Sequence, residues 1–135
     1  MKKVLKFAVV ALIIVACAKK KTDDPQPVIT VNDSQNPTIT YLMNLNSLYS
    51  PAAKVKLNFK VTDNYKLKYI LYRVKNTGID SVYLNKTINT SLKDYTVLDS
   101  VIVNLTTTMA DFEVFVQAED STGNKATSTK TFHVM

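Results

Sequence analysis

Few residues in this chain can do chemistry, and most of them stand alone. The 135 residues include one Cys, Cys17, and one His, His133. A lone thiol excludes a disulfide framework and a Cys-based zinc site. It leaves the sulfur as a small buried hydrophobe or as a nucleophile toward a modifying group. His133 lies in TSTKTFHVM with no acid or nucleophile beside it in the sequence, so it reads as an exposed strand residue and not as a base. Neither Gly-x-Ser-x-Gly nor His-Glu-x-x-His occurs, and with Gly at 2 a phosphate-cradling loop is excluded in practice. No nucleophile–base set can be assembled, so a non-enzyme without a cofactor is expected.

The setting of Cys17 selects between its two uses. The chain opens MKKVLKFAVVALIIVA, lysines first and then an apolar run from Phe7 to Ala16. As a helix that run is ~15 Å long, half of a ~30 Å hydrocarbon core, so it is too short to span a membrane. A basic start, a short apolar stretch and a small final residue are the parts of a secretory signal peptide. Ile14-Val15-Ala16-Cys17 resembles the lipobox of bacterial lipoproteins, with an aliphatic residue at −3, a small one at −1 and Cys at +1. The resemblance implies a diacylglycerol thioether on Cys17 and cleavage between Ala16 and Cys17. Two or three acyl chains give stable membrane anchoring where one is marginal.

Residues 1–16 are thus expected to be a signal peptide, and residues 17–26 the lipidated Cys and a polar tether, AKKKTDDPQ after Cys17. Lys21-Thr22-Asp23-Asp24 is loosely similar to the surface-export signal of Bacteroidota lipoproteins, which leaves the periplasmic and outer faces of the outer membrane both open. The formal charge is +6, but without Lys2, Lys3 and Lys6 the balance is 14 basic to 11 acidic residues. The basic excess belongs to the N-terminus, and no nucleic-acid partner is expected.

From Pro27 the hydropathy changes to period two. Val55, Leu57, Phe59 and Val61 alternate with Lys54, Lys56, Asn58 and Lys60, which predicts a strand with one wet face. Phe112, Val114, Val116 and Ala118 alternate in the same way. LKYILYRVK (67–75), apolar on both faces, predicts a strand inside a sheet. Further strands are predicted at 28–31, 81–85, 94–98, 101–105 and 125–134, with turns at Asp63-Asn64 and Ser121–Asn124. Residues 41–49 (YLMNLNSLY) read as a loop with some buried contacts. About seven strands in residues 27–135 make this an all-β domain, a two-sheet antiparallel sandwich.

FEVFVQAEDSTGN (112–124) resembles the penultimate strand and turn of bacterial immunoglobulin-like and cadherin-like modules, and Val61-Thr62-Asp63-Asn64 before Leu67 resembles their second strand and its exit. The resemblance implies an immunoglobulin-like sandwich without the core disulfide and Trp. Cadherin-like modules bind Ca²⁺ through loop carboxylates, which points to Asp63 and Asp120, with Asp111 and Glu119 nearby in sequence. The competing use of Asp63 and Asp120 is to cap turns, and the capping use is the expectation. Asp-Ser-aliphatic or Asp-Ser-Thr triplets are similar to Bacteroidota O-glycosylation sites, which points weakly to Ser81, Ser100 and Ser121. Tyr65, Tyr69, Tyr72, Tyr83 and Tyr95 suit an interface or a sugar platform, but packing in the sheets is the expectation. Lys54, Lys56, Lys60, Lys66 and Lys68 form a basic patch or protect an edge strand. The expected function is a lipid-anchored binding or adhesion module for a protein or glycan, with a structural accessory of a larger envelope complex as the alternative.

Overall fold

The period-two alternation of β3 (Lys54–Thr62) sets the sandwich. Val55, Leu57, Phe59 and Val61 are at most 1% exposed, while the lysines between them turn to the opposite face. Each such burial contributes roughly 1.5–3 kcal/mol. The computed structural model describes residues 30–45, 48–104 and 109–135. The expectations for the signal peptide, for Ala16 and Cys17, and for the tether fall outside the described residues. Residues Val31–Met135 form one compact unit.

Among the described residues there are eight strands. They are β1 (Thr38–Tyr41), β2 (Leu48–Tyr49), β3, β4 (Leu67–Asn76), β5 (Ser81–Asn89), β6 (Asp94–Ile102), β7 (Ala110–Asp120) and β8 (Lys125–Val134). One sheet has the order β1-β3-β6 and the other β2-β8-β7-β4-β5. All pairings are antiparallel except β2 with β8, where Leu48 sits beside His133 in parallel. The expected two-sheet sandwich is present, and β4 lies inside its sheet as its two-faced apolarity requires.

Three local expectations are corrected. The segment read as a loop at 41–49 ends β1 and contains β2, with Leu45 buried between them at 3% exposure. The strands expected at 94–98 and 101–105 are one strand, β6, because nine consecutive residue pairs with β3 run through Asp99-Ser100 without a break. The polar pair does not interrupt it, since the Asp99 carboxylate is bound by other side chains and by the Ser100 N–H. Thr30 and Val31 are not in a strand.

β4 shows why alternation alone misplaces some residues. Leu67 is buried, but the inward set then continues as Ile70, Tyr72 and Val74. A register irregularity between Leu67 and Tyr69 switches the phase by one residue. The two layers meet through aromatic rings. Phe59 of one sheet contacts Tyr72 of the other at 5.6 Å, edge to face, and within the five-stranded sheet the register partners Phe112 and Phe132 stack at 5.1 Å.

The antiparallel topology gives the sandwich two distinct ends. Thr38 pairs with Thr62, so the residues preceding β1 share one end with turns 63–66, 90–93 and 121–124. We call this the entry end. Turn 77–80, Ile102 and Met109 lie at the other, distal end.

Candidate functional site

Three carboxylates from distant parts of the chain converge at the entry end. Asp33 precedes β1, Asp63 follows β3 and Asp120 ends β7, and one oxygen from each lies within 4.8 Å of the others. The turns place them. Asp63 Oδ1 accepts the Tyr65 N–H at 2.8 Å, and Asp120 Oδ1 accepts the N–H groups of Thr122 and Asn124, each at 2.8 Å. The Asn124 side chain donates both to Asp120 Oδ2 at 2.7 Å and to the Asp33 carbonyl at 3.0 Å. Asn64 donates to Asp33 Oδ1 at 3.0 Å. These bonds clasp the segment before β1 onto the two turns.

Asp120 is fully buried. Burial pushes its carboxyl pKa up, but the bonds from Thr122 and Asn124 outweigh burial and hold it below the usual range. Asp63 and Asp120, paired in the sequence reading, do come together, and both cap turns. Asp33 was missed; its only local signal is the Asx turn to Gln35 N–H at 3.0 Å. Asp111 and Glu119 stand elsewhere, Asp111 on β7 toward the distal end and Glu119 between Lys68 at 2.6 Å and Lys125 at 3.2 Å.

Two buried oxygens in the clasp have no hydrogen-bond partner among the described residues, Asp33 Oδ2 and Asp63 Oδ2. Ca²⁺ takes about six to eight oxygens. Both Asp120 oxygens and one each of Asp33 and Asp63 are already engaged by donors, which leaves two of the six carboxylate oxygens free of them. The arrangement is a polar clasp with like charges at its centre.

The second feature lies on the outer face of the three-stranded sheet. A groove of about 510 Å³ is lined by Lys54, Lys56, Asn58, Leu98 and Ser100, among others. Lys60 reaches Asp94 at 3.8 Å, whereas Lys54 and Lys56 make no ion pair among the described residues. The five-lysine patch read from the sequence therefore divides. Lys54, Lys56 and Lys60 share the β3 face, but Lys68 is on β4 in the other sheet, paired with Glu119, and Lys66 packs over the Tyr65 ring at 5.6 Å. Edge protection by the β3 lysines is also corrected, because β3 is the middle strand of its sheet.

His133 has an acid beside it after all. β7 and β8 pair Asp111 with His133, and Nδ1 lies 2.6 Å from Asp111 Oδ1. The pair is exposed, and no hydroxyl or thiol bonds the ring among the described residues. The tyrosines do not form one platform. Tyr72 is buried, Tyr83 sits edge-on to Phe112 at 5.2 Å and Tyr95 packs on the core, while Tyr65 and Tyr69 are half-buried. Ser81 and Ser100 are half-buried in strands, and Ser121 is exposed in its turn. The three serines occupy separate places in the fold.

The distal end carries the third feature. Ile79, Val82, Ile102 and Met109 are 51–70% exposed there. Met109 and Gly78 line a hollow of about 300 Å³ beside them. No protein-family model and no curated protein sequence matches the chain.

Proposed function

We propose that the chain is a noncatalytic binding or adhesion module, held at the outer membrane by lipid on Cys17 and presenting an immunoglobulin-like sandwich to a protein partner. The observation that carries this reading is the polarity of the domain along its long axis. The segment that leads back toward Cys17 is clasped at the entry end by Asn64 and Asn124. Four exposed apolar residues, Ile79, Val82, Ile102 and Met109, lie at the opposite end, against Val31 and Leu92 at the entry end. A module anchored at one end is expected to expose apolar contact area at the other. Aliphatic side chains favour a protein over a glycan, since sugar platforms use flat aromatic faces and the tyrosines here are dispersed. The strand order β1-β3-β6 against β8-β7-β4-β5 supports the immunoglobulin-like resemblance.

The anchor and the tip are tested separately. Cells fed a clickable palmitate analogue should label the wild type, and Cys17→Ala should abolish both label and processing. Photocrosslinking residues placed at Ile79 and Met109 of the full chain should capture a discrete protein, while one at exposed Thr127 should not. Retained lipid label in Cys17→Ala would overturn the anchor, and equal capture from all three positions would overturn the binding tip.

A further inference from the structure

β6 is a nine-residue edge strand whose protection is confined to Asp99, an inward carboxylate that also accepts the Ser100 N–H. It pairs only with β3, in unbroken register from Asp94 to Ile102. It has no Pro, Gly, Lys or bulge, and its outward face shows Leu98 at 75% and Ile102 at 57% exposure. The other edges are managed. β1 has four residues and β2 has two, and β5 carries Lys86 and, near Tyr83, a register irregularity against Val74/Lys75. A long, regular edge with apolar outward residues is a template for pairing with another chain.

Charge indicates what pairs with it. Register sets Lys54 beside Ile102 and Lys56 beside Ser100. Ser100 is the shortest outward side chain of β6, so Lys56 can lean across it toward the open edge. The one outward acid near this face, Asp94, is at the entry end with Lys60. The Asp99 carboxylate is occupied by Tyr72 and Lys86. Among the described residues Lys54 and Lys56 make no ion pair, and they face a groove whose lining includes one acid, the already engaged Asp99; they stand about 6.6–6.8 Å apart along the strand. Acids at every second position of an added strand have the same spacing. A second copy pairing β6 to β6 would place two lysine rows on either side of the new sheet and neutralise neither.

We propose that the β6 edge accepts an extended acidic segment of a partner protein as an added strand, with its alternate carboxylates over Lys54 and Lys56. The proposal goes beyond the reading above and depends on neither the lipid nor the distal tip. The test uses the full chain in zwitterionic micelles and a nine-residue peptide alternating Glu and Val. Controls are the same peptide with a central Pro and a Lys/Val version. The Glu/Val peptide should bind and slow amide exchange along residues 94–102. Lys54→Glu with Lys56→Glu should weaken binding at least about tenfold and reverse the preference toward the Lys/Val peptide. Leu98→Glu, at an exposed position, should weaken it without altering the thermal midpoint. Equal binding of the Pro peptide would overturn strand addition, and insensitivity to the lysine reversals would overturn the acidic partner. Dimerisation removed by Leu98→Glu, with no peptide binding, would assign the edge to a second copy and overturn the proposal.

Discussion

The Tyr72 hydroxyl on β4 donates to Asp99 Oδ2 on β6 at 2.7 Å, a polar bond between the two sheets of the sandwich. Lys86 of β5 donates to the same oxygen at 2.7 Å, and the Ser100 N–H to Oδ1 at 2.8 Å. Burial raises the Tyr72 pKa, and the hydrogen bond to Asp99 raises it further, so the phenol remains a donor. The bond fixes an edge strand that has only one backbone neighbour.

Tyr72→Phe keeps the ring against Phe59 and removes the hydroxyl. Asp99 retains Lys86 and Ser100 as donors, so the loss should be about 1–2 kcal/mol and not the larger penalty of an abandoned charge. Urea unfolding of the full chain checks this, and exchange should quicken most along β6. A uniform change over all strands would contradict the role assigned to the bond.

Acid should weaken the fold through the same groups. Burial raises the Asp99 pKa, but bonds from Lys86, Tyr72 and Ser100 outweigh it and leave the carboxyl below its usual range. Asp120 is likewise held low. For a carboxyl whose folded pKa is depressed, the stabilisation is complete above the unfolded value of about 3.9 and is lost as pH falls through the folded value. Urea midpoints should be nearly level from about pH 7 to 5 and fall below about pH 4. Tyr72→Phe should show a shallower fall, because it removes one cause of the depression at Asp99.

What the sequence makes legible is whatever period two controls. The inward sets of β3 and β7 follow from alternation, because each buries one face without a break. The polar pair Asp99-Ser100 divides β6 in the hydropathy pattern, and only the partners Tyr72 and Lys86 make that polarity compatible with a strand. The inward face of β4 shifts at an irregularity that leaves no compositional mark. In the clasp, Asp63 and Asp120 sit at turns that turn chemistry identifies. Asp33 comes from a segment whose position is fixed by contacts 31 and 91 residues away in sequence. Asp111 escaped notice beside His133 for the same reason, since β7–β8 register and not sequence proximity joins them.

Backbone conformation gives an opposed pair of substitutions. Ala52 has φ 63, in the left-handed region that penalises a Cβ, whereas Gly123 has φ 100. Ala52→Gly should stabilise by up to about 1 kcal/mol, the relief of strain being partly offset by the freer unfolded chain. Gly123→Ala should destabilise by about 1–3 kcal/mol through backbone strain, since no atom lies within 4 Å of the added Cβ. Thermal unfolding of both variants decides the matter, and equal signs would contradict the assigned conformations.

The clasp yields an inversion between two like substitutions. Asp33→Asn keeps Oδ1 as acceptor for Gln35 and Asn64, removes one of three neighbouring carboxylates and puts an amide donor in place of the unpaired Oδ2. With a chelator present it should stabilise by about 1 kcal/mol, through relief of like-charge crowding and the chance to satisfy a buried unpaired oxygen. Asp120→Asn presents an amide where Oδ2 accepts from Asn124, so two donors face each other in a buried site, and it should destabilise by about 1–3 kcal/mol. Differential scanning calorimetry of the full chain compares the two. If Asp33→Asn destabilises in chelator, the carboxylates are not in mutual conflict. If millimolar Ca²⁺ stabilises the wild type and Asp33→Asn abolishes that gain, the cluster completes a cation shell and is more than a clasp.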